Sequence, residues 1–128
     1  MNLLLDTCAF IWAIGQPDRL SQKAREALEN EENSLFASAI SGLEIATKRG
    51  IGRLELDEET ADSIAQGLSE YGIITLPVLM SQAVMAGELP FYHKDPFDRV
   101  IIAQAKSENL VIVTPDDAFF RYDVPTLW

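Results

Sequence analysis

Short apolar runs alternate with longer amphipathic stretches along this chain. "LLL" at residues 3–5 and "LFA" at 35–37 read as short buried strands. "IITLPV" at 73–78 begins as a third and should stop before Pro77. "LVIVT" at 110–114, rich in β-branched residues, is the clearest fourth, and the tail "DVPTLW" adds a short fifth.

Helix signals fill the gaps between these runs. Asp6 is placed to cap a helix through "AFIWAIG", where Phe10, Ile11, Trp12 and Ile14 fall at helical spacing and read mostly as core. Ser21 caps a helix to about Glu31, and Ser38 or Ser41 starts another that stops at Gly50. Asp57 caps a helix through Tyr71, with Gly72 after it. Ser81 begins a short helix ending near Gly87, and Asp95 opens the last, reaching about Asn109. In "HKDPFDRVIIAQA", Asp95 is the N-cap, Pro96 occupies the first helical position and Asp98 the third, where a carboxylate suits the helix dipole.

Strands alternating with helices imply crossover units and a mostly parallel sheet covered on both faces, an α/β fold. The 128 residues suit one domain spanning 1–128. An apolar content of 48% and a charged content of 23% are ordinary for a globular chain. No apolar run is long enough to span a membrane. "MNLLLDT" turns acidic too soon for a signal peptide. Cys8 is the single cysteine, which excludes an internal disulfide and fits a reducing cytoplasm. The net charge of −10 argues against tight nonspecific DNA binding. It leaves room for RNA as a substrate, because a cation can neutralise a local acidic cluster.

In open parallel sheets, ligands bind at the carboxyl ends of the strands. Asp6 directly follows the first strand, and Asp116 follows "LVIVT" by two residues. If those strands are neighbours, the two carboxylates share a crevice. Glu44 lies in the helix just beyond the second strand and projects back over the same edge. Asp98 does not follow a strand directly, so topology alone does not bring it there. Each acid also has a structural reading. Asp6 can cap a helix, Ser41 and Glu44 form an S-x-x-E capping box, and Asp116 or Asp117 can cap a turn before "AFF". Carboxylates gathered at one edge repel one another unless a cation intervenes, and Mg²⁺ prefers such oxygen ligands.

"LLLDTCAFIWA", "SAISGLEIATKRGIGRLEL", "HKDPFDRVIIAQA" and "LVIVTPDDAFFRYDVPTLW" occur in an order that resembles the PIN domain family. More narrowly, they resemble the VapC-type ribonuclease toxins of bacterial toxin–antitoxin systems. The likeness covers nearly the whole chain and implies a three-layer α/β/α sandwich. It further implies Mg²⁺- or Mn²⁺-dependent endonucleolytic cleavage of RNA. Carried over by position, Asp6, Glu44, Asp98 and Asp116 are the metal-binding, catalytic acids. Thr7 and Thr114 are supporting hydroxyls, and the T-x-D spacing favours Asp116 over Asp117. Asp95 is left mainly with helix capping. The family also implies a homodimer and a cognate antitoxin that covers an apolar groove, in the cytoplasm.

Lys48, Arg49, Arg53, Lys94 and Arg99 are candidates for gripping phosphates, Arg99 first because it adjoins Asp98. His93, the only histidine, reads as a surface residue at the start of the helix, since Mg²⁺ prefers oxygen. Cys8 reads as a small packed residue. A haloacid-dehalogenase-type site needs a second Asp where Cys8 stands, and a response-regulator receiver needs a late Lys that "VIVTPDD" lacks. The remaining alternative is a catalytically silent PIN-like module that binds RNA or protein.

Overall fold

Leu3, Leu4 and Leu5 are all fully buried, which requires cover on both faces of their strand. The structure is a computed structural model that describes residues 1–66 and 71–128. Among these, the leucines form β1 (Asn2–Leu5), followed by β2 (Ser34–Ser38), β3 (Ile73–Leu76), β4 (Val111–Val113) and β5 (Thr126–Leu127). All pair in parallel in the order β3-β2-β1-β4-β5. The chain winds outward from β1 to β3, then returns to the other side of β1 for β4 and β5. The switch point therefore lies between β1 and β4, where Leu5 stands opposite Val113.

The helices are α1 (Thr7–Gly15), α2 (Gln22–Glu29), α3 (Ala39–Gly50), α4 (Glu58–Ala65), α5 (Met80–Glu88) and α6 (Pro96–Glu108). Leu3 and Leu5 face Phe10 of α1, Ala24 and Ala27 of α2 and Ile45 of α3. Leu4 faces the opposite layer, with Ile101, Ile102 and Ala105 of α6 and Phe119 and Tyr122 beyond β4. Strand alternation thus divides the core in two and gives the three layers expected from the sequence. Among the described residues no helix is long and apolar enough to cross a membrane.

Most helix starts follow the capping residues. Asp6, Ser21, Ser38, Asp57 and Asp95 each accept a backbone N–H as N-cap. Three expectations need correction. Ser41 and Glu44 form no capping box: α3 already starts after Ser38, and the Ser41 hydroxyl is buried against Thr7, Oγ to Oγ1 at 2.9 Å. Helix α5 begins at Met80 without Ser81 as its cap, because the Gln82 side chain reaches back to accept the Leu79 N–H at 3.0 Å. Helix α4 ends at Ala65; the rest of the expected run to Tyr71 crosses residues 67–70, outside the described residues. At the far end of α6, Asn109 takes the left-handed conformation (φ 55°), which closes the helix as a glycine would.

Candidate active site

Parallel pairing of β1 and β4 brings Asp6 and Thr114 to the same edge, each one residue past its strand. The Asp6 N–H donates to the Val113 carbonyl at 3.0 Å, and the Thr114 hydroxyl donates to Asp6 Oδ2 at 2.6 Å. Asp6 Oδ1 accepts the Ala9 N–H at 2.8 Å, so this carboxylate caps α1 with one oxygen and meets Thr114 with the other. Thr114 Oγ1 also accepts the Asp116 N–H at 3.0 Å. The Asp116 carboxylate in turn caps the short 3-10 turn Asp117–Tyr122 through Ala118. Capping and site membership are therefore compatible at both positions.

Asp98 reaches this edge through the direction of α6. A crossover helix runs antiparallel to its strands, so a helix that leads into β4 must begin where the strands end. Asp98 thus joins Asp6, although no strand directly precedes it. Glu44, in the second turn of α3, is buried beneath Lys48, whose ammonium donates to Glu44 Oε2. Its other oxygen, Oε1, is buried without a hydrogen-bond partner among the described residues. Asp6, Thr7, Cys8, Glu44, Lys48, His93, Asp95, Asp98 and Asp116 line one cleft of about 510 Å³, and Asp117 is not among its lining residues.

Carboxylates crowd this cleft. Burial, and to a lesser degree the charges of Asp98 and Asp116, push the Asp6 carboxyl up to about 7 despite its hydrogen bonds from Thr114 and Ala9. Burial, with Asp95 and Glu44 nearby, pushes Asp98 up to about 6 against the opposing effect of His93. The Cys8 thiol is pushed up to about 11 by burial and by Asp6, so no thiolate nucleophile is available near neutrality. The hydrogen bond to Glu44 raises Lys48, which keeps its charge.

The raised acids set a sign for stability. In the folded state Asp6 and Asp98 hold protons that the unfolded chain has released above pH 4 or so. Their contribution is full below that pH and is lost as pH rises through about 6 and 7. In chelator, stability measured by urea unfolding should therefore decline between pH 4.5 and 8, and less steeply in Asp6→Asn. A flat or rising profile in wild type would contradict this account of the cleft.

The donor set fits a hard divalent cation. It is rich in oxygen, it includes the unpartnered Glu44 Oε1, and its mutual repulsion is relieved by positive charge. Asp98, Asp116 and His93 offer ligand atoms within 4.8 Å of one another. The sequence puts His93 at the surface near the helix start; in the structure its Nε2 lies 2.8 Å from Asp98 Oδ2. The clue in the sequence is its position five residues before Asp98. Lys48 is legible as the i+4 partner of Glu44.

Arg99 does not reach the cleft, which corrects its assignment as the leading phosphate contact. Its side chain is buried and donates to the carbonyls of Gly87, Leu89, Pro90 and His93. Adjacent positions on a helix project in different directions, so Asp98 faces the site and Arg99 the interior. Arg49 is engaged with Glu58 at 2.7 Å, and neither it nor Arg53 nor Lys94 lines the cleft, so among the described residues Lys48 is the one lysine or arginine in the lining.

The PIN domain model matches residues 3–125. This chain belongs to the PIN domain family. Among curated relatives, Ribonuclease VapC22 of Mycobacterium tuberculosis is 33% identical over 131 residues, covering 99% of this chain and 98% of the relative. Among solved structures, VapBC2 from Rickettsia felis bound to a promoter DNA fragment superposes with a TM-score of 0.73 at 20% identity, covering 98% of this chain and 97% of that one. DNA-bound VapBC from Salmonella typhimurium gives a TM-score of 0.70 at 21% identity, with 98% and 96% covered. At these identities the two structures establish the PIN fold.

Proposed function

We propose that this PIN domain is a divalent-cation-dependent endoribonuclease, the toxin of a toxin–antitoxin pair. The observation that carries the reading is the convergence of Asp6, Glu44, Asp98 and Asp116 on one cleft at the switch point of the sheet. The chemistry is hydrolysis of an RNA phosphodiester. When bound, Mg²⁺ or Mn²⁺ lowers the pKa of water and offsets charge on the phosphate. Asp6, Glu44, Asp98 and Asp116 would hold it. Thr114 fixes the Asp6 rotamer through its hydroxyl, and Thr7 fixes Ser41 beneath the same edge. The Lys48 ammonium, at the rim beside Glu44, is placed to meet a phosphate oxygen. Cys8 stays protonated and takes no part in bond making.

Kinship to a curated ribonuclease supports RNA as the substrate class. The likeness to VapBC structures supports an antitoxin protein as the partner. The family resemblance supports a second copy of the chain in a homodimer, acting in the cytoplasm.

The test needs no knowledge of the RNA target. Mn²⁺ at 100 times its Kd should stabilise wild type by about 2.7 kcal/mol, because it binds only the folded state. Asp98→Asn should respond far less and, in chelator, should be no less stable than wild type. If the cation stabilises neither protein and Asp98→Asn loses about 0.3–1 kcal/mol, Asp98 is only a helix-end charge and the metal site is absent.

A further inference from the structure

The segment between α5 and α6 has no regular structure after residue 89, yet it carries the imidazole that contacts Asp98. It is fixed from below by two buried side chains. The Tyr122 hydroxyl donates to the Pro90 carbonyl at 2.6 Å and accepts the His93 N–H at 2.8 Å. Arg99 Nη1 donates to the Pro90 and His93 carbonyls, both at 3.0 Å. Arg99 Nη2 donates to the Leu89 carbonyl at 2.7 Å. Tyr122 and Arg99 are each less than 5% exposed, so the donor side of these bonds is shielded from water, most completely in the buried bond to Leu89.

Tyr122 also closes the 3-10 turn whose N-cap is Asp116. One hydroxyl thus ties the segment bearing Asp116 to the segment bearing His93 and, through His93, to Asp98. The His93 Nε2 is occupied by the Asp98 carboxylate, which makes the ring a support for that carboxylate, in the manner of groups that orient metal ligands.

We propose that Tyr122 and Arg99 are positioning residues, which clamp the 89–93 backbone so that His93 holds the Asp98 carboxylate toward Asp116 for cation binding. The inference rests on the cation-dependent function proposed for the cleft and adds the parts that set its geometry. Neither Tyr122 nor Arg99 lines the cleft, so their effect passes through His93 and Asp98.

The test is Mn²⁺ affinity by titration calorimetry on the full chain, for wild type, Tyr122→Phe, His93→Ala and the double variant. Tyr122→Phe removes one oxygen and should unfold cooperatively, unlike Arg99 variants, which risk failing to fold. Measured well below the melting temperature, affinity should fall about tenfold or more in each single variant. The double variant should lose little beyond His93→Ala alone, because both changes release the same carboxylate. Wild-type affinity in Tyr122→Phe would overturn the clamp, as would additive losses in the double variant. A wild-type protein that takes up no Mn²⁺ would overturn the cation-dependent function itself, and the clamp with it.

Discussion

Asp6→Asn should reduce RNA cleavage at least about 100-fold while leaving the fold intact. Even groups that merely support a metal ligand cost about 10–100-fold when removed, so for a carboxylate proposed as a ligand that range is the lower bound. Asparagine keeps the shape of the side chain, and its carbonyl can still accept the Ala9 N–H that caps α1. Thr114 must turn, since its hydroxyl would face an amide NH₂. Against that stands the removal of a buried acid crowded by Asp98 and Asp116. In chelator at pH 8 the variant should therefore unfold at a urea concentration equal to or above wild type. Its Mn²⁺-induced stabilisation should be largely abolished. Cleavage that survives the substitution would point to a contaminating nuclease. A folded protein with no cleavage in either form would point to a silent binding module.

The largest loss of stability should come from Arg99→Ala, about 3 kcal/mol or more by guanidinium unfolding. The truncation strands the buried Leu89 carbonyl, takes a donor from the part-buried Gly87 carbonyl and leaves the Pro90 and His93 carbonyls to the Tyr122 hydroxyl alone. Each buried acceptor left unpaired costs about 1–3 kcal/mol before water or repacking compensates, and the emptied volume of a buried side chain adds to it. For a domain with a total stability of about 5–15 kcal/mol, that is a large fraction. Arg99→Lys should recover only part of it, because an ammonium cannot span carbonyls on both sides of a planar fork. The guanidinium also lies 4.0 Å from the centre of the exposed Phe91 ring, and alanine abolishes that cation–π attraction. Were Arg99→Ala as stable as wild type but weaker in RNA binding, the side chain would be a phosphate contact after all.

The contrast between Asp98 and Arg99 shows what the sequence could convey. Asp6 and Asp116 were legible because strand ends in a parallel sheet converge, and that rule needs only strand positions. Asp98 was legible as a helix start, and its place follows once the direction of α6 is considered. The fate of Arg99 was not legible, because adjacency along a helix says nothing about which face each side chain takes. Ser41 misled for a related reason: S-x-x-E is a capping pattern only if the serine is the first residue, and Ser38 took that place. His93 depended on an irregular segment whose path is set by Tyr122, distant in sequence. Such long-range hydrogen bonds leave no periodicity to read. Helix starts marked by Asp or Ser were the most legible features, since a capping oxygen acts within three residues of itself.

β1 is the first strand of the chain and the middle strand of the sheet, and the bond from Thr114 to Asp6 spans 108 residues. During synthesis, Asp6, Glu44 and Asp98 all emerge before β4, but β1 then still has one edge unpaired and Asp6 lacks its hydroxyl partner. Closing so long a separation comes late in folding, after local helices have formed. If the cleft cleaves RNA as proposed, that competence arrives only with β4 and β5. On that reading chains that stop short of them are inert, and a partner that restrains cleavage need contend only with molecules whose sheet has closed.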